Sequence, residues 1–277
     1  MINLVKKIKI HPILWAIFAV GALTGLFKEI LMLFVIILVH EMGHVLMAYK
    51  FGWRIRRILL LPFGGIAEMD EYGNRPAKEE ILVTLSGPVQ HVWMIGVSFL
   101  LLNSPFWSEG DHKLFLFHNV TILLFNFLPV FPLDGGKLFF SLQTLFLPFQ
   151  RSYHLSFTVS FMVLLCLTYG SLFLLPFHLN LVLILFFLWI HQYLEWKQRH
   201  YHFLRFILER KRMRRKKRRK YLKVLPSLTV SQAIRSIYRE KELTFICSND
   251  AEIPERILLD AFFERNYKDV PLSQLMK

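Results

Sequence analysis

From Ser152 to Leu194 the chain carries no Asp, Glu, Lys or Arg. Crossing a hydrocarbon core about 30 Å thick takes about 20 apolar helical residues, and this stretch is roughly twice that length. Lipid offers no water to backbone N–H and C=O groups, so the stretch is confined to helices whose hydrogen bonds close internally. Pro176, His178 and Asn180 interrupt it and mark a turn, dividing it into spans near Leu155–Phe177 and Leu179–Leu194. A water-soluble fold is thereby excluded.

Four further apolar runs lie near Ile10–Phe27, Ile30–Tyr49, Ile81–Phe106 and Leu114–Leu133. The expected fold is an α-helical polytopic membrane protein with about six transmembrane helices, in keeping with a mean hydropathy of +0.40. No small-residue cleavage site follows the first run before Lys28 and Glu29, so that run is expected to stay as an anchor. Lys and Arg alternate by side: Lys6, Lys7, Lys9, then Lys50 to Lys78, Lys137, Arg151 and the tail on one face, with only Lys28 and Lys113 on the other. This bias predicts that both termini are cytoplasmic. Between the second and third spans, Phe51 to Asp70 is broken by Pro62 and Gly64-Gly65, while Ile58 to Leu61 are apolar. Two readings fit it: a re-entrant hairpin beside a wet cavity, or a cytoplasmic loop with a buried turn. Leu138 to Leu147 reads as an interfacial helix.

The second span contains His40-Glu41-Met42-Gly43-His44. Histidines four apart share one side of a helix and can reach one metal ion, and the adjacent Glu41 is left to act as a base. Each ionisable residue in mid-span costs about 2.5 to 3.5 kcal/mol on insertion scales, so three within five positions require a purpose. The competing explanation is a pair of core histidines satisfied by neighbouring helices. Only two cysteines occur, Cys166 and Cys247, so metal ligands must be nitrogen and oxygen. Asp134 follows Pro129 and Pro132 and precedes Gly135-Gly136, at the same cytoplasmic end as the histidines. It can complete a three-ligand zinc site with an open fourth position, or it can simply cap a helix before a glycine turn.

The pentapeptide His40 to His44 with Asn126-Phe127-Leu128-Pro129 and Pro132-Leu133-Asp134-Gly135 resembles the site-2 protease family of intramembrane zinc metalloproteases. Leu61-Pro62-Phe63-Gly64-Gly65, Gly73-Asn74-Arg75-Pro76 and Ser86-Gly87-Pro88 add to the likeness, which spans about residues 1 to 210. Within the family, the chain is most similar to members that remove the pro-sequence of a sporulation sigma factor in endospore-forming bacilli. The resemblance implies one Zn2+ held by His40, His44 and Asp134, with Glu41 as general base and Asn126 on the substrate. It further implies a membrane-associated pro-sigma factor as substrate, membrane-protein regulators, and the mother-cell membrane around the forespore as location. Where many members place an asparagine after Ser86-Gly87-Pro88, this chain has Gln90-His91, leaving open whether His91 assists or is an ordinary span histidine. A metal transporter would spread ionisable groups over several spans, and a non-catalytic membrane scaffold would not need all four zinc-chemistry residues.

Charge is concentrated in one place. From Lys197 to Lys223 there are 14 Lys and Arg against Glu209 alone, +13 of the net +14. The run Lys211 to Lys220 is read first as lying on anionic lipid, with nucleic acid and an acidic protein as the alternatives. Beyond Val224, a helical pattern at Ala233, Ile234 and Ile237, a strand at Leu243 to Cys247 and a helix at Ile257 to Phe263 resemble a single CBS module, the adenine-nucleotide-sensing fold. Such modules pair, which implies a homo-oligomer or docking onto the substrate, and an adenine nucleotide at the tail. The expected division is a transmembrane zinc metalloprotease domain over 1–196, a basic linker over 197–223 and a small α/β CBS-like domain over 224–277.

Overall fold

The computed structural model describes residues 8–10, 12–61, 64–69, 75–102, 104–173, 176, 178–212, 218–247, 251–264 and 267–276. Pro62, Gly73, Asn74 and residues 213–217 of the basic run lie outside the described residues, so the readings placed on them have no structural counterpart.

Helices α1 (Pro12–Thr24), α2 (Phe27–Lys50), α3 (Ala77–Leu101), α4 (Glu109–Asn126), α5 (Asp134–Thr144), α6 (Phe149–Phe173) and α7 (Leu179–Arg212) form the main body. Among the described residues, α2, α3, α6 and α7 are long and apolar enough to cross a membrane. Helix α1 has 13 residues, about 20 Å at 1.5 Å per residue, and α4 has 18 with Glu109, Asp111 and Lys113 in its first turns. Leu31, Val35, Trp93, Leu100, Met162, Leu172 and Phe186 are exposed, as a protein solvated by lipid requires. This is a mostly helical, multi-pass membrane protein.

Local chemistry sets the boundaries. Helix α2 ends in a Schellman turn: Gly52 at φ +68 donates to Tyr49 O and Trp53 to Ala48 O, both at 2.9 Å. Ser108 and Asp111 form a capping box at the start of α4, where Asp111 also pairs with Lys28 at 2.5 Å. Of the residues expected to mark a turn, Pro176 and His178 fall between α6 and α7, while Asn180 lies in the first turn of α7. Beyond α2 the chain pairs as antiparallel strands β2 (Ile55–Leu61) and β3 (Gly64–Met69), and β2 takes β1 (Ile8–Ile10) alongside in parallel. Strand β3 packs on α2, an antiparallel pairing that both readings of Phe51 to Asp70 accommodate.

The segment expected as a basic linker is divided. Helix α7 runs through Lys197 to Arg212, its 34 residues spanning about 51 Å, so that it leaves a 30 Å bilayer by several turns. Arg218–Lys223 is a strand, β4, paired in parallel with β5 (Lys241–Ile246), which pairs antiparallel with β6 (Glu252–Pro254). Net charge concealed this, because the buried residues of the stretch are few: Phe206 and Ile207 join Ile234, Leu243, Phe245 and Leu258 in the tail's core. Arg210 donates to both Glu255 oxygens and to Arg239 O and Lys241 O. Helices α8 (Val230–Ile234) and α9 (Glu255–Phe263) and a 3-10 turn at Leu272–Met276 complete the tail. It is seated on the membrane part: Arg239, 1 % exposed, pairs with Glu80 and Arg75 O, Glu240 accepts from Ala77 N, and Phe149 stacks on Phe206.

Candidate metal centre

Three elements converge on one buried point. His40 and His44 lie one turn apart on α2, and both face α3. The approach is close because α3 presents Gly87: a methyl group there would strike the His44 ring at Nε2 and Cε1 and lie 2.9 Å from His40 Cε1. Gly43 does the reverse, since a Cβ there would meet Ser86 O and the Gln90 side chain of α3.

Asp134 arrives from α5. It is the first residue of α5, following an extended Leu133 at φ −61, ψ 159. The helix begins there because its glycine pair folds back on the preceding loop. A Cβ on Gly135 would collide with the Phe127 and Leu128 carbonyls, and one on Gly136 would stand 2.7 Å from Val130. The loop is pinned from behind, where Phe131 N donates to Ser160 Oγ at 3.0 Å and Ser160 Oγ donates to Gln192 Oε1 at 2.8 Å. A carboxylate in the first turn also faces the positive end of the helix dipole.

The atoms that meet are His40 Nε2, His44 Nε2 and Asp134 Oδ2. They form a nearly equilateral triangle with edges of 3.1, 3.1 and 3.0 Å. All three residues are at least nine-tenths buried, at 4, 7 and 5 % exposure. Two ligands bound at 2.0–2.1 Å in tetrahedral geometry lie about 3.3 Å apart, so the triangle fits one face of a zinc site. Electrons point the same way. His44 Nδ1 is 2.8 Å from Val83 O, which can only accept, so the proton is on Nδ1 and Nε2 presents a lone pair toward the Asp134 carboxylate. Lone pairs brought face to face in a buried site call for a cation, and a donor set of two imidazoles and a carboxylate with no thiolate suits zinc.

Glu41 is half-buried on α2, within electrostatic reach of His44, His40, Lys137 and Asp134. Asn126, the last residue of α4, turns its Nδ2 onto Ile122 O of its own helix at 3.0 Å. The triad thus gathers three of the five residues singled out in the sequence; Glu41 stands beside it, and Asn126 faces its own helix. Sequence reasoning missed two neighbours and left a third undecided. Lys137 Nζ lies 3.3 Å from Asp134 Oδ1, a spacing of three along α5 that could have been read. His91 Nε2 lies 3.0 Å from His40 Nδ1, and Asn119 Oδ1 lies 3.0 Å from His91 Nδ1; these join residues on three helices and left no local pattern.

A zinc-type triad with an adjacent glutamate, enclosed by membrane-crossing helices, defines a polytopic membrane metallopeptidase. Residues 28–109 match the model of peptidase family M50. The chain is 44 % identical over 209 residues to stage IV sporulation protein FB of Bacillus subtilis, covering 76 % of this chain and 73 % of that one. It is 31 % identical over 167 residues to a zinc metalloprotease of Methanocaldococcus jannaschii, covering 58 % and 46 % respectively. The solved site-2 protease of the same archaeon superposes with a TM-score of 0.51 at 27 % identity, over 68 % of this chain and 89 % of that one. The chain belongs to peptidase family M50, the site-2 proteases, and is a zinc-dependent metalloendopeptidase of the membrane.

Proposed function

We propose that the protein cuts the pro-sequence from a membrane-associated sporulation sigma factor, using the buried triangle of His40, His44 and Asp134 as its zinc site. That triangle is the observation that carries the reading, and the likeness to a sporulation protein supports the substrate class. Zinc held there would supply a Lewis acid that polarises the scissile carbonyl and acidifies water. Glu41 takes the proton of the attacking water on its carboxylate and returns it to the leaving amine. Asn126 holds the substrate backbone after its amide turns from Ile122 O. The substrate must be locally unwound, because a helical peptide bond is shielded by its own turn. Strand β3, at the outer edge of its sheet, offers that unwound segment backbone partners.

Helices α1 and α4 complete six crossings, with both termini in the cytoplasm and the site nearer that face. The Lys and Arg distribution supports this, as does the position of His40 only ten residues, about 15 Å of helix, from Lys50. The membrane would be that of the mother cell around the forespore. The tail folds as a CBS-like module on the cytoplasmic extension of α7, and the charge of the run Lys211 to Lys220 suits contact with anionic lipid. Equilibrium binding of ATP to the full-length protein tests the nucleotide reading.

The deciding experiment is co-expression of the protein with a candidate pro-sigma factor in membranes. Processing is expected from the wild type, with none from Glu41→Gln and none after zinc chelation. Chelator-insensitive processing would overturn the assignment.

A further inference from the structure

We propose that His91 and Asn119 are positioning residues, a hydrogen-bonded relay that holds His40 in the single tautomer and orientation presenting Nε2 to the metal. The inference rests on the metal-centre reading above. His40 Nε2 is 3.1 Å from both Asp134 Oδ2 and His44 Nε2, so its lone pair must point into the triad. A neutral imidazole that offers Nε2 keeps its proton on Nδ1, and His40 Nδ1 is 3.0 Å from His91 Nε2. His91 Nε2 must then accept, which puts the His91 proton on Nδ1. Nδ1 in turn is 3.0 Å from Asn119 Oδ1.

The far end settles the amide. Asn119 Nδ2 donates to Phe115 O, one turn back on α4, at 2.9 Å. A backbone carbonyl cannot donate, so the amide nitrogen faces Phe115 and the oxygen faces His91. Each assignment forces the next, from a carbonyl that can only accept to a ligand nitrogen that must be bare. His91 and Asn119 are both fully buried, so no solvent competes for these groups. The arrangement contrasts with His44, which is oriented in one step by Val83 O. Three helices meet in the relay, α2 with His40, α3 with His91 and α4 with Asn119. A buried packing residue at position 91 needs shape alone; the relay needs an acceptor toward α2 and a donor toward α4.

The test uses full-length protein in detergent micelles, with zinc affinity measured by chelator competition and the visible spectrum recorded after cobalt substitution. His91→Phe keeps a ring of similar size but has no acceptor. It is expected to weaken zinc binding about 10- to 100-fold and to alter the cobalt spectrum. His91→Gln can accept from His40 through Oε1 and donate to Asn119 through Nε2, and is expected to stay within about threefold of wild type. Asn119→Leu, one bond further out, is expected to fall between them, and it carries the test should His91→Phe fail to fold. Wild-type affinity and spectrum in His91→Phe, or equal losses in the Phe and Gln variants, would overturn the relay. A wild-type protein that binds no zinc would instead overturn the metal centre itself.

Discussion

Gly87→Ala adds one methyl group at the point where α3 faces both histidines. Carbon atoms in ordinary contact lie about 3.5–4.0 Å apart. The new Cβ would sit 2.9 Å from His40 Cε1 and closer still to His44. The His40 ring must therefore give way by about 0.6 Å and the His44 ring by about 1 Å or more, whereas zinc sites tolerate about 0.2 Å in ligand distance. His44 is also tied to Val83 O at 2.8 Å, and a shift of that size leaves a buried carbonyl and N–H short of partners, at about 1–3 kcal/mol. Helix propensity opposes the loss, since Gly→Ala favours a helix interior by up to about 1 kcal/mol, so α3 itself should hold. The expected result is folded protein with zinc affinity lowered about 100-fold or more and no detectable cleavage. Gly96→Ala is the control, on the same helix with nothing within 4 Å of its Cβ, and should behave as wild type. Metal content after dialysis against a graded chelator, with pro-protein processing in parallel, reads both. If Gly87→Ala held zinc and cleaved as well as Gly96→Ala, the close approach of α3 would not be what shapes the site.

Glu41→Gln should keep zinc stoichiometry while cleavage falls at least about 1000-fold, whereas Asp134→Asn should lower both, as metal analysis and processing on the same preparations would show. Arg210→Met strips the partner from the buried Glu255, which also holds Leu243 N at 2.9 Å, and should destabilise the tail by about 3–5 kcal/mol, seen as early proteolysis beyond α7. Burial pushes the Cys247 thiol above its ordinary range, so less thiolate is present at any given pH below that range. Alkylation at pH 8 should be slow in the native tail and should accelerate on denaturation; equal rates in both states would contradict its burial in the tail core.

The features legible in the sequence are those that act at short range along the chain. The pair His40 and His44 is visible because a helix repeats every 3.6 residues, and Glu41 comes with it. Gly135-Gly136 announces a close backbone approach, and the uncharged stretch before Leu194 announces lipid. The extent of α7 was not legible, because its charged half conceals Phe206, Ile207 and Arg210 inside a dense run of cations. Neither was β4, whose alternation is hidden in the same run.

By itself the sequence determined the solvent, the helical class and the placing of two imidazoles on one side of a helix, because each depends on composition or on spacing within one turn. Only the tertiary structure decided what surrounds the two histidines: Val83 O on His44, His91 and Asn119 behind His40, and Gly87 as the floor. Those relations join α2, α3 and α4 across separations of 28 to 51 residues. No helical period reaches that far, and a hydrogen bond between two spans exists only once packing has brought them within about 3 Å.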